Sequence, residues 1–110
     1  HKEMDTVLQY IDEHYRQDIT LGETAECIRM SETAFSRYFS RFMGVGFASY
    51  VMNKRIQTAI YLLRSSRKTV LEIALECGFN SAASFYKAFK KITGLTPGDY
   101  RSADREKMTV

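Results

Sequence analysis

A pattern that returns after fifty residues limits what this chain can fold into. Phe35, Phe39, Gly44 and Tyr50 recur as Phe85, Phe89, Gly94 and Tyr100, while Phe42 is answered by Ile92 and Arg37 by Lys87. Upstream, Thr20-Leu-Gly-Glu23 is answered by Thr69-Val-Leu-Glu72 and Ala25 by Ala74, at an offset of forty-nine. One extra residue therefore enters the second copy, near Gly78. Two copies are too few for a solenoid, so the pattern reads as duplication of one compact unit.

The apolar spacing is helical nearly throughout. Met4, Val7, Leu8, Ile11 and Tyr15 define one amphipathic helix. Thr20–Glu23 reads as a capping box opening a short helix through Ile28. Ser31 reads as the N-cap of a third helix whose inward spine is Phe35, Tyr38, Phe39 and Phe42, stopping near Gly44. A longer helix runs from Ser49, or a residue or two earlier, to about Arg64, with Val51, Met52, Ile56, Ala59, Ile60 and Leu63 inward. The second box, Thr69–Glu72, opens a helix to about Cys77. The next helix begins after Asn80 or Ser81, carries Phe85, Ala88, Phe89 and Ile92 inward, and ends at Gly94. Pro97 precedes a last helix from Gly98 to about Arg105. The expectation is an all-α chain of seven helices: a unit over residues 1–48, a linking helix over 49–64, and a second unit with the C-terminal helix over 65–110.

Charge is distributed unevenly along this frame. Residues 1–28 hold seven acidic and two basic side chains, whereas residues 29–91 hold eleven basic and three acidic. A cationic middle attracts polyanions, although a solvated charged face is the commoner meaning of any single stretch. Composition fits a folded chain, at 45% hydrophobic and 26% charged, and no apolar run approaches a membrane span of roughly 18 residues. The stretch HKEMDTVLQYIDEHY is too charged to read as a secretory signal. Cys27 and Cys77 lack zinc-pair spacing and read as small buried hydrophobes, reduced as in the cytoplasm. His1 and His14 have no nucleophile or metal-binding partner in sequence reach. Glu72 and Glu76 share a helix face but sit by capping positions, which needs no acid–base role. Neither an enzyme, a cofactor nor a metal is expected.

In each copy two short helices are separated by about three or four residues, the spacing of the DNA-binding helix-turn-helix. At 100° per residue the aromatic spine of the third helix faces inward and Thr33, Ser36, Arg37 and Ser40 face outward. On the matched helix, Ala83, Tyr86, Lys87 and Lys90 face outward. Arginine and lysine suit guanine acceptors, hydroxyls suit either base type, and an alanine methyl suits the thymine methyl. Ser40, Arg41, Lys90 and Lys91 are assigned to phosphates, as are Lys54, Arg67 and Lys68 around the linking helix; plain solubility explains this last group equally well. Arg55 reads equally as a structural ion-pair partner. A linking helix of about sixteen residues is roughly 24 Å long, which suits two reading helices near the 34 Å of one DNA turn. A helical protein-interaction module is the alternative reading.

Residues 73–101, IALECGFNSAASFYKAFKKITGLTPGDYR, resemble the AraC/XylS family of bacterial transcription regulators. The resemblance rests on Ile73-Ala74, Gly78-Phe79, Phe85 through Phe89-Lys90, Gly94-Leu-Thr96-Pro97 and Tyr100-Arg101. The first unit fits through Ala25, Ser31, Phe35, Ser36-Arg37, Phe39, Gly44, Tyr50, Arg55, Ala59 and Leu62-Leu63, and coverage is about residues 4–102. The resemblance implies a seven-helix bundle whose third and sixth helices enter successive major-groove segments of double-stranded DNA, with promoters commonly activated through RNA polymerase. Family base-reading positions fall on Thr33, Ser36 and Arg37, and on Ala82, Ala83, Tyr86 and Lys87. The two alanines stand where polar side chains are frequent, which points the second unit toward methyl or shape readout and anchoring. Arg29-Met30 stands where the family often has a glycine. A chain beginning at His1 looks like the C-terminal domain of a longer regulator, with the effector or dimerisation domain outside it, although the family also has small stand-alone members.

Overall fold

The computed structural model describes residues 2–108, so His1 lies outside the described residues. Those residues form seven α-helices and no strand: α1 (Lys2–His14), α2 (Leu21–Glu26), α3 (Glu32–Met43), α4 (Phe47–Ser65), α5 (Val70–Glu76), α6 (Ala82–Thr93) and α7 (Pro97–Met108). None is long and apolar enough to cross a membrane. Two compact units emerge, His1–Met52 and Asn53–Val110, with α4 contributing to both.

The first unit closes around Met4, Val7, Ile11 and Tyr15 of the α1 segment, Ala25 of α2, Phe35 and Phe39 of α3 and Val51 of α4. Phe39 meets Phe47 edge-on at 5.8 Å and Tyr50 at 5.4 Å between ring centroids. Such edge-to-face pairs add about 0.5–1.5 kcal/mol to what burial contributes. The second unit repeats the construction. Its buried residues include Ile56, Ala59 and Leu63 of α4, Ile73, Ala74, Cys77, Phe79, Phe85 and Phe89. There Phe89 meets Tyr100 edge-on at 5.7 Å.

Caps set where the helices begin and end. Ser31 and Ser81 each accept a backbone amide, from Ala34 and Ser84, both at 3.2 Å. Gly44 and Gly94 end α3 and α6 in the left-handed conformation, at φ 76° and 83°. Thr96 accepts the Asp99 amide at 3.1 Å, so Pro97 occupies the first helical position, where its missing N–H costs nothing. The Thr69 box is complete: the hydroxyl takes the Glu72 amide at 3.1 Å and the Glu72 carboxylate takes the Thr69 amide at 2.8 Å. The expected Thr20 box is only half formed. Thr20 takes the Glu23 amide at 3.1 Å, but the Glu23 carboxylate instead accepts from the Tyr10 hydroxyl at 3.3 Å, tying α2 to α1.

The turns joining α2 to α3 and α5 to α6 place the inserted residue two positions beyond Gly78, near which the sequence put it. Met30 N–H donates to the Ala25 carbonyl at 3.0 Å, and Phe79 N–H to that of Ala74 at 2.9 Å, each closing a six-residue loop over a helix end. The residue before each donor is left-handed: Arg29 at φ 56° and Gly78 at φ 101°. The offset of forty-nine therefore persists through Phe79, and Asn80 is the extra residue ahead of the Ser81 cap. This register also corrects the reading of the two cysteines. They are fifty apart in a region where the offset is forty-nine, so Ile28, not Cys27, matches the buried Cys77. Cys27 is exposed, its thiol 3.6 Å from the Glu23 carbonyl oxygen.

Other departures have equally local causes. Phe42 and Ile92 lie on the inward faces of α3 and α6 by angle, yet are 43% and 42% exposed. Both occupy last turns, where the helix runs on past the neighbours that cover its middle. Helix α2 stops at Glu26 instead of Ile28 because the turn begins there, and α7 runs on to Met108.

Two outcomes follow. The left-handed backbone costs a non-glycine residue about 1–2 kcal/mol, so Arg29→Gly should raise stability by about 0.5–1 kcal/mol after its greater unfolded-state entropy is deducted; chemical denaturation measures this. The Glu72 carboxyl is held below the usual glutamate range, chiefly by the Thr69 backbone amide and then by its hydroxyl. That stabilisation is present above the unfolded-state value and disappears as pH falls through the lowered one. Thr69→Ala should cost about 1 kcal/mol, and only the smaller part carried by the hydroxyl's effect on the carboxylate should disappear on acidification through that range, because the Thr69 backbone amide remains.

Candidate nucleic-acid interface

In the first unit the candidate site is the outer face of α3. Packing of Phe35 and Phe39 fixes the helix roll, so residues one position beyond each phenylalanine, and those a turn away, face solvent. Thr33, Ser36, Arg37, Ser40 and Arg41 are all exposed. Thr33, Ser36 and Arg37, together with Glu32 and Leu21, line one open depression where the start of α2 meets the start of α3. Sequence reasoning passed over Glu32, although the repeat places it opposite Ala82.

In the second unit the outer face of α6 carries Ala83, Tyr86, Lys87, Lys90 and Lys91, all exposed, with Tyr86 at 41% and Ala82 half-buried. The last turn holds both Lys90 and Lys91, beside its left-handed glycine. A hydroxylated face with two guanidiniums, Arg37 and Arg41, in the first unit thus corresponds to two methyls, a phenol and three amines in the second.

The cations near α4 differ in what already engages them. Arg67 is exposed and Lys54 half-buried. The Lys68 ammonium lies 2.6 Å from the Glu76 carboxylate, and the Arg55 guanidinium stacks over the Phe79 ring at 5.9 Å. Arg64 pairs with Asp104 across 3.2 Å. His14, which the sequence left without a role, stacks on Tyr10 at 4.1 Å and donates from Nδ1 to the Tyr10 carbonyl at 2.8 Å, so it closes the end of α1.

Arg101 carries a structural role that spacing did not disclose. Its guanidinium donates to three carbonyls: Leu63 from Nε at 3.1 Å, Lys68 from Nη1 at 2.7 Å and Ser66 from Nη2 at 3.3 Å. These are the carbonyls left over where α4 ends and the chain crosses to the Thr69 cap. A fork of fixed donors satisfies all three at once, which a lysine ammonium on a flexible stem does not. The first unit has Val51, buried, at the matching position, so this clamp belongs to the second unit alone.

Two left-handed turns, each holding an exposed helix on a buried phenylalanine pair, define a double helix-turn-helix domain. The chain belongs to the AraC/XylS-type helix-turn-helix family of transcription regulators, a class of DNA-binding proteins and not an enzyme class; the helix-turn-helix domain family matches residues 24–103. An uncharacterised HTH-type transcriptional regulator of Staphylococcus aureus is 39% identical over 106 residues, 96% of this chain and 14% of that protein. One from Haemophilus influenzae is 35% identical over 93% of this chain and 34% of its own length. The chain therefore spans well under half of these relatives. Among solved structures, the C-terminal domain of the two-component response regulator yesN of Fusobacterium nucleatum is 29% identical with a TM-score of 0.88, covering 92% of this chain and 99% of that one. The DNA-binding domain of AdpA in complex with a target DNA is 29% identical with a TM-score of 0.87, covering 92% and 91%.

Because Arg101 satisfies three carbonyls with a charged donor, Arg101→Lys should cost about 1.5–3 kcal/mol, read as a lowered thermal midpoint of the domain.

Proposed function

We propose that this domain binds double-stranded DNA sequence-specifically to regulate transcription, with α3 and α6 as recognition helices in successive major-groove segments. The observation carrying this reading is the duplication of the unit down to its caps and left-handed turns, with an exposed polar or cationic face conserved in place on both recognition helices. A helix docked by its N-terminal half leaves its first turns to the base edges, which assigns Thr33, Ser36 and Arg37 in the first unit and Ala82, Ala83, Tyr86 and Lys87 in the second. Ser40, Arg41, Arg67, Lys90 and Lys91 take phosphates. Lys54, half-buried, and Lys68, engaged by Glu76, are secondary contacts. The DNA-binding domain of AdpA was solved in complex with a target DNA, which supports DNA binding by this domain. The site of action is the cytoplasm. The family resemblance favours promoter activation through RNA polymerase, with effector or dimerisation functions supplied by sequence outside this domain.

The first unit is equipped for hydrogen-bond readout and the second for anchoring. Arg37→Ala should therefore cost about 1–3 kcal/mol on the preferred duplex and relax selectivity, with Lys87→Ala relaxing it to a smaller degree at the other half-site. Lys90→Ala or Lys91→Ala should weaken all duplexes alike and lower the slope of log affinity against log salt by about 0.9 per lost contact. Titrations of preferred and scrambled duplexes across a salt series separate the two behaviours; unchanged discrimination in Arg37→Ala and Lys87→Ala sinks the assignment of readers.

A further inference from the structure

We infer that Glu32 is a specificity-determining residue of the first unit, its carboxylate accepting a hydrogen bond from the exocyclic amine of a base, cytosine N4 foremost. The inference rests on the DNA-binding reading above and names one element of the sequence that the first unit selects.

Glu32 is the first residue of α3 and the only acidic side chain between Arg29 and Leu71, a stretch holding eight basic ones. It shares a helix face with Ser36 four residues on, as Thr33 does with Arg37, and these four side chains line the same open depression. Among the described residues nothing pairs with its carboxylate. The side chain lies along the start of α2: a Cβ added at Gly22 would stand 3.5 Å from Oε1. The absence of a side chain there leaves that flank clear.

An acid on a face meant for a polyanion opposes binding unless it contacts something other than phosphate. One structural role is available, since an acid in the first turn complements the helix dipole. The second unit shows that the fold does not require it. Helix α6 has the same serine cap and the same length as α3, with Ala82 in place of Glu32 and no acid in its first turn. The remaining partner is a base edge. In the major groove, cytosine N4 and adenine N6 present donors, whereas guanine O6 and thymine O4 present acceptors that repel a carboxylate. Glu32 thus selects by attraction to one pair of bases and repulsion of the other.

Selection from a random duplex pool by the wild type, Glu32→Gln and Glu32→Lys tests this, with thermal midpoints recorded for all three. The expected wild-type outcome is one position in the first-unit half-site where guanine and thymine are depleted at least roughly fivefold relative to cytosine. Glu32→Gln should erase that depletion, because an amide both donates and accepts, and Glu32→Lys should turn the preference to guanine. Identical base frequencies at every position in the three proteins overturn the role of Glu32 while leaving DNA binding intact. A lowered midpoint with the wild-type preference retained also overturns it, assigning Glu32 to the helix dipole alone. Failure of the wild type to enrich any sequence overturns the DNA-binding reading itself, and this inference with it.

Discussion

Each unit depends on two phenylalanines four residues apart, Phe35 with Phe39 and Phe85 with Phe89, every one of them fully buried. Their rings sit 5.8 and 5.6 Å apart, and the second of each pair is met edge-on by a tyrosine from the following helix. Removing a side chain of that size from water stabilises the fold by about 1.5–3 kcal/mol. More important here is direction. A helix anchored by positions i and i+4 has one roll angle, so the polar residues between and after the anchors face outward. The candidate reading faces are defined by what is buried behind them.

The same pairs explain why the turns are shaped as they are. For α3 and α6 to lie across their preceding helices with the phenylalanines inward, the chain must reverse within a few residues. The six-residue loops closed by Met30 and Phe79 do so through one left-handed residue each. Gly78 adopts that conformation without steric penalty, whereas Arg29 is strained by its Cβ. The burial of Phe35 and Phe39 outweighs that local cost, a case of packing overriding backbone preference. In the second unit a different device holds the approach: Arg101 gathers carbonyls from the last turn of α4 and the crossing to α5 and so positions the Thr69 cap.

The two units share a backbone plan but differ in surface chemistry. Hydroxyls, a carboxylate and the Arg37 guanidinium on α3, with Arg41 a turn further on, offer directional hydrogen bonds. At α6, two alanines, an exposed tyrosine and three lysines offer contact area and charge. A phosphate-directed cation adds affinity without reading sequence, so a protein with one reading unit and one anchoring unit concentrates its selectivity in half of its footprint.

The sequence by itself determined the number of helices, the duplication, the caps and the exposed faces of α3 and α6, because each is written in short-range patterns: apolar periodicity, serine or threonine before a first turn, glycine after a last one. Even the correct register was present in it, since the capping boxes already ran at forty-nine, and the repeat alone was enough to bring Glu32 into line with Ala82. Tertiary structure decided what depends on how far neighbours reach. It exposed Phe42, Ile92 and Cys27, diverted the Glu23 carboxylate from its own cap to Tyr10, and set Arg101 on three carbonyls more than thirty residues away. The fifty-residue recurrence thus fixes which side of each helix faces the core. Only packing fixes where that core ends, since burial depends on the length and position of the covering helices, which no single helix encodes.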